Sequence, residues 1–259
     1  MDLHLAGKVI AITGGTDGLG AALADLLVEE GARVAVCGRD EGRLASSEER
    51  LRAAGGDVVA VRADVTQLAD IEAFIATAVE RWGRLDGLVN NAGKSAAGAI
   101  DQVTDEAWTD DLSLKVLGAA RAIRVAAPHL AAVGGGAIVN VLAVAAKAPG
   151  AGSLPTAASR AAGLAITKAA SKDLGGQGTR VNAVLVGFVE SGQWRRLAEA
   201  TGRSEDEVYH DLATHSSIPL GRVGRAAEFA DLAAYLLSDR SSYVTGSAVN
   251  LDGGSSPVG

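Results

Sequence analysis

The chain has 259 residues, 48% of them hydrophobic and only 3% aromatic, with 33 glycines and a formal charge of −7. That length is enough to bury the core of one large α/β domain, and the acidic balance argues against nucleic acid or an anionic membrane as partner. A single cysteine, Cys37, rules out an intrachain disulfide, suits a reducing cytosol and falls in a predicted strand as packing.

Short runs rich in Val and Ile alternate with longer amphipathic segments, the pattern of repeated βα units on a parallel sheet. Val9–Thr13 reads as the first strand, with a helix over about 18–30. Arg33–Cys37 is the second strand, Asp57–Arg62 the third and Gly87–Asn90 the fourth, with helices over about 42–54 and 67–82 between them. One long helix over about 104–130 leads to the fifth strand, Ala137–Val141. A helix carrying Thr156 and Arg160 runs to about Leu174, and Arg180–Leu185 is the sixth strand. Residues 188–218 are polar and irregular with short helices, Ala226–Leu237 is a helix, and Ser247–Leu251 is the last strand. There is no internal repeat, low-complexity tract or linker, so residues 1–259 are expected to form one domain. No run approaches the roughly 18 apolar residues of a membrane span. The opening Met1-Asp2-Leu3-His4-Leu5 lacks the regions of a signal peptide, which makes a cytoplasmic location the expectation.

Directly after the first strand stands Thr13-Gly14-Gly15-Thr16-Asp17-Gly18-Leu19-Gly20. Strand, glycine turn and helix start follow in the order a dinucleotide site requires. Glycines let the backbone approach a pyrophosphate, and the helix N-terminus offers unpaired N–H groups and partial positive charge. Further marks follow: Asp64-Val65, Asn90-Asn91-Ala92-Gly93, Asn140, Arg180-Val181-Asn182, Tyr243-Val244-Thr245-Gly246 and Asp252-Gly253-Gly254. In spacing and order, over nearly the whole length, the chain resembles the short-chain dehydrogenase/reductase family. That resemblance implies a Rossmann-like, doubly wound parallel sheet of about seven strands with helices on both faces.

The resemblance also implies a cofactor path. Gly14, Thr16, Gly18, Leu19 and Gly20 would meet the pyrophosphate side, Asp64 and Val65 the adenine, and Asn91, Ala92 and Gly93 the ribose and nicotinamide side. Gly187, Val189 and Ser191 would lie near the carboxamide, with Val186 standing where the family usually has proline. Arg39, at the end of the second strand, suits a 2′-phosphate, so NADP(H) is favoured over NAD(H), although Asp40 beside it could neutralise that charge.

At the catalytic end the frame stands and the usual side chains do not. Where the family has serine, tyrosine and lysine, this chain has Ala143, Thr156 and Arg160, and its asparagine position falls on Lys115. Ala143 has no donor, Thr156 is far less acidic than a phenol, and Arg160 cannot pass a proton at neutral pH. The cations Lys94, Lys115, Lys147 and Arg160 point instead to an anionic substrate or a developing enolate, with Lys115 as the substitute acid if it is desolvated beside Arg160. The competing reading makes Lys94 and Lys147 solvated loop charges and pairs Lys115 with Asp110 or Asp111.

His129 reads as a charge at a helix C-terminus. Trp194, Tyr209, His210 and His215 either line a substrate lid at about 188–218, as the resemblance implies, or pack ordinarily. No Cys/His cluster has metal-site spacing. The expectation is an atypical NAD(P)(H)-dependent oxidoreductase acting on an activated C=C, imine-like or carbonyl group of a small molecule. A nucleotide-binding pseudoenzyme and a non-redox enzyme on the same scaffold are the alternatives. The resemblance further implies a homo-oligomer, tetramer or dimer, packed through the Ala-rich faces at 119–132 and 157–170.

Overall fold

The computed structural model describes residues 2–259. Seven strands, β1 (Val9–Thr13), β2 (Arg33–Gly38), β3 (Val58–Arg62), β4 (Gly87–Asn90), β5 (Ala137–Ala143), β6 (Arg180–Val186) and β7 (Ala248–Leu251), form one sheet in the order β3-β2-β1-β4-β5-β6-β7. Every neighbouring pair runs parallel. The expected doubly wound architecture is therefore present.

Alternation along the strands sets the layers. Ile10, Ile12, Val34 and Val36 pack with Leu23 and Leu27 of α1 (Gly18–Glu29) and with Phe229 and Ala233 of α9 (Ala226–Leu237). Val9, Ala11, Ala35 and Cys37 face the opposite layer, with Ile71, Phe74 and Ile75 of α3 (Leu68–Trp82) and Ala122, Ala126 and Leu130 of α5 (Gly118–Ala132). Helices cover both faces, so the central strands are apolar at successive positions instead of alternating with polar ones. Cys37 lies wholly within this core, and burial pushes its thiol up to about 12, the property of a packing residue.

The sequence pattern predicts one helix over 104–130, and the structure differs. Helix α4 (Asp105–Leu112) passes into a π-helical turn, Ser113–Leu117, before α5 begins. There the N–H of Gly118 reaches back to the carbonyl of Ser113, five residues earlier. Gly118 packs closely at this junction, where a Cβ would stand 3.2 Å from the Val65 carbonyl oxygen. The wider turn inserts Lys115 into the protein while Leu112 and Leu117 remain partly exposed.

After β1 the chain winds outward through α1, β2, α2 (Glu41–Ala53) and β3, then returns so that β4 pairs with the other side of β1. That reversal opens a crevice at the C-terminal ends of β1 and β4. The segments after β2, β5 and β6 leave the sheet at the same edge. Residues 188–218 contain two helices, α7 (Gly192–Thr201) and α8 (Glu205–His215), the second held by a reciprocal Ser204/Glu207 cap. Among the described residues no helix is long and apolar enough to cross a membrane.

Candidate active site

The nucleotide end is built by close backbone approach. Gly14 and Gly18 have φ of +67° and +53°, and a Cβ on Gly20 would lie 2.4 Å from the Gly14 carbonyl oxygen. Asp17 caps α1 by accepting the Gly18 N–H at 2.8 Å. The Asn91 amide donates to the carbonyls of Thr13 (3.1 Å) and Gly14 (2.8 Å), so it braces the glycine turn against β4. Thr13 Oγ1 in turn accepts from the N–H groups of Asn91 and Ala92 at 3.0 and 3.1 Å.

At the far side of this crevice Asp64 accepts from the Thr66 N–H and hydroxyl at 2.9 and 2.8 Å. Arg39 is 71% exposed, with its nearest anion Asp64 at 3.9 Å, which leaves the guanidinium available to a ligand. Asp40 is turned to cap α2, accepting from the Arg43 N–H at 2.9 Å. Beyond β6, the Gly187 N–H bonds the Leu251 carbonyl at 3.0 Å, Val189 is buried, and Ser191 precedes α7 within reach of Gly18. The start of α7 also meets the glycine turn through charge, since Arg196 and Arg43 both face the Asp17 carboxylate, at 3.5 and 3.7 Å. The sequence reading did not single out that link.

The catalytic end converges from three elements. Lys115, only 5% exposed, donates from Nζ to Thr156 Oγ1 at 2.9 Å and forms an ion pair with the buried Asp111 carboxylate one helical turn earlier. Thr156 opens α6 (Thr156–Asp173), and its hydroxyl oxygen also accepts the Ala96 N–H at 3.0 Å. Ser159 of α6 donates to the other Asp111 oxygen at 2.6 Å. Arg160 is half-buried, donating to the Val141 carbonyl of β5 at 2.7 Å, and its Nε, itself closed to solvent, has no acceptor. A Cβ at Gly93 would lie 2.7 Å from the same guanidinium, so the glycine after β4 makes room for it.

These surroundings retune the cations. Burial pulls the Lys115 ammonium down to about 8; the hydrogen bond and charge of Asp111 oppose this, while Arg160 and Lys94 add to it. Burial likewise brings Arg160 down to about 10, opposed by Asp111. The buried Lys115–Asp111 pair and the half-buried Arg160 thus lie beside a small hollow lined by Thr13, Asn90, Ala92, Lys115, Asn140 and Arg160.

Of the pairings open from sequence, Lys115 takes Asp111, and takes Thr156 as well. Lys94 is exposed, near enough to repel Lys115 and no closer. The structure does not bring Lys147 to this cluster, since its Nζ is spent on the Ala248 carbonyl and Asn250 Oδ1 of β7, both at 3.1 Å. Trp194 is half-buried against Phe188, its indole N–H on the Val189 carbonyl at 3.1 Å. Ala143 ends β5 with no donor to offer. Ser159 and the Ala96 N–H went unnoticed in the sequence, because a serine inside a helix and a bare backbone N–H carry no motif.

Fold and site together define a doubly wound α/β protein with a glycine-rich turn and a buried Lys115–Asp111 pair at the sheet's C-terminal edge. The chain belongs to the short-chain dehydrogenase/reductase family: the family model described as enoyl-(acyl carrier protein) reductase matches residues 14–256. Among its relatives, a 3-oxoacyl-(acyl-carrier-protein) reductase of Thermotoga maritima is 33% identical over 97% of this chain and 99% of its own. A 2,5-dichloro-2,5-cyclohexadiene-1,4-diol dehydrogenase of Sphingobium indicum is 34% identical, covering 97% of each. A solved structure of a short chain oxidoreductase from Pseudomonas aeruginosa, NADPH-bound and described as containing an atypical catalytic center, matches with a TM-score of 0.92. It is 36% identical and covers 97% of this chain and 98% of that one.

Proposed function

We propose that this protein is an NADP(H)-dependent oxidoreductase that reduces an activated C=C, imine-like or carbonyl group, with Lys115 as proton donor acting through the Thr156 hydroxyl. The observation that carries the reading is the Lys115 Nζ–Thr156 Oγ1 hydrogen bond of 2.9 Å. With the Ala96 N–H at 3.0 Å as a second donor, both lone pairs of the threonine oxygen are engaged and its own proton is free to face a substrate.

The crevice suits a dinucleotide, because Gly14, Gly18 and Gly20 admit a pyrophosphate and the unpaired Arg160 Nε is a buried donor that ribose hydroxyls would satisfy. Arg39 would meet a 2′-phosphate, and the NADPH-bound Pseudomonas relative supports the same cofactor. The nicotinamide supplies hydride when bound. As negative charge grows on the substrate, Thr156 gives up its proton and takes one from Lys115, which is left neutral. A group near 8 exchanges protons readily at neutral pH, whereas a free lysine holds its proton too tightly. Arg160 stays charged and, together with Lys115 until its proton has moved, stabilises the developing anion in a site with little water. The missing hydroxyl at Ala143 leaves that stabilisation to the cations, which favours substrates that are anionic or give a delocalised enolate.

The test is Lys115→Met, titrated with NADPH by fluorescence and followed at 340 nm with enone, imine and ketone panels. Retained NADPH binding with turnover reduced by about 10²–10⁴ is expected. Unchanged turnover would remove the acid role. Wild-type protein that binds NADPH and oxidises it with no substrate in the panels would point to the pseudoenzyme alternative.

A further inference from the structure

The Asp111–Ser159 pair has no place in the proton path just described, yet it sits directly behind it. Asp111 lies on α4 with a side chain closed to solvent, and Ser159 lies on α6, one position before Arg160. The Ser159 hydroxyl donates to Asp111 Oδ2 at 2.6 Å, while Oδ1 faces the Lys115 ammonium. A carboxylate free to rotate would offer the lysine either oxygen and either direction. Held at one oxygen by α6, it presents the other along a fixed line, and the π turn brings Lys115 onto that line. The charged groups around Lys115 are Asp111 from α4, Arg160 from α6 and Lys94 from the segment after β4, and Asp111 is the one anion among them.

We propose that Asp111, oriented by Ser159, is a positioning residue that keeps Lys115 protonated and aimed at Thr156, so that the substitute acid is charged at neutral pH. The inference rests on the proton-donor reading of Lys115. Burial and two neighbouring cations push Lys115 toward its neutral form, which donates no proton. Asp111 opposes both, through a hydrogen bond as well as through charge.

The experiment measures kcat against pH in the reductive direction for wild type, Asp111→Asn, Ser159→Ala and Ser159→Thr. Wild-type kcat should fall as pH rises through about 8. In Asp111→Asn that fall should move down by about one pH unit or more, with the KM for NADPH unchanged. Ser159→Ala should lose about 3- to 10-fold in kcat, and Ser159→Thr, which keeps the hydroxyl, should recover it. A purely structural role would lower the melting temperature and leave the pH profile in place, and that result overturns the proposal. Should Asp111→Asn fail to fold, the Ser159 pair decides alone, since both variants retain the carboxylate. Wild-type profiles in all of these with Lys115→Met inactive would remove the positioning role and keep the acid. A fully active Lys115→Met would remove the reading beneath it.

Discussion

Lys115 should leave a signature in folding stability that is independent of any substrate. Its ordinary value is 10.5, and burial brings it to about 8 in the folded protein. Between those values the unfolded chain binds more protons than the folded one, so stability rises with pH through that window. The whole shift of roughly 2.5 units corresponds to about 3 kcal/mol of cost at pH 7, of which about 2 kcal/mol is recovered by pH 9.5. Other groups titrate here with the opposite sign. Cys37 and Tyr209 are both pushed up to about 12, so each withdraws stability as pH rises past its unfolded value. Lys115→Met is therefore the control: urea unfolding of both proteins from pH 7 to 9.5 should show the difference, wild type minus variant, rising by about 2 kcal/mol. With m near 3 kcal/mol/M, that is roughly 0.7 M in midpoint. Loss of the ion pair adds an offset to the variant. A difference that stays flat or falls would refute the claim that Lys115 is held in a desolvated, cation-crowded site.

Two further outcomes concern the nucleotide end. Gly20→Ala places a Cβ 2.4 Å from the Gly14 carbonyl oxygen and 2.5 Å from Asn91 Nδ2, where the backbone cannot yield, so thermal melts should show a loss of about 1–3 kcal/mol. NADPH titration of the same variant should show affinity lower by at least about tenfold. Arg39→Ala should raise the Kd for NADPH by about tenfold and leave NADH unchanged in parallel fluorescence titrations, and equal losses for both would deny Arg39 a role in selecting the 2′-phosphate.

Much of the scaffold was legible in the chain. Val9–Thr13 followed by three glycines at the right intervals announces strand, turn and helix, because steric limits on backbone torsions act within a few residues. Six of the strands begin or end within one residue of their expected bounds, and β5 continues to Ala143, where its pairing with β6 holds the edge at Val186. The π turn was not legible. Leu112, Leu114 and Leu117 are compatible with ordinary helical spacing, so nothing in their pattern marks the extra residue in the turn. The partners of Lys147 were not legible for a related reason: a lysine in a Gly/Pro loop shows nothing of the β7 carbonyl waiting 101 positions later.

The sequence by itself determined the frame, a parallel sheet with a glycine-rich turn after its first strand, and which functional groups Ala143, Thr156 and Arg160 carry. Both follow from local pattern and from the functional groups themselves. Tertiary structure alone decided which partners Lys115 and Asp111 take. Lys115 meets Thr156 across 41 positions and Asp111 meets Ser159 across 48, distances over which no periodicity carries information. The lysine's proton affinity is set by burial and by neighbours that exist only once α4, α6 and the segment after β4 have packed together, so a residue whose partner stood open in the chain becomes a buried lysine paired with Asp111 in the fold.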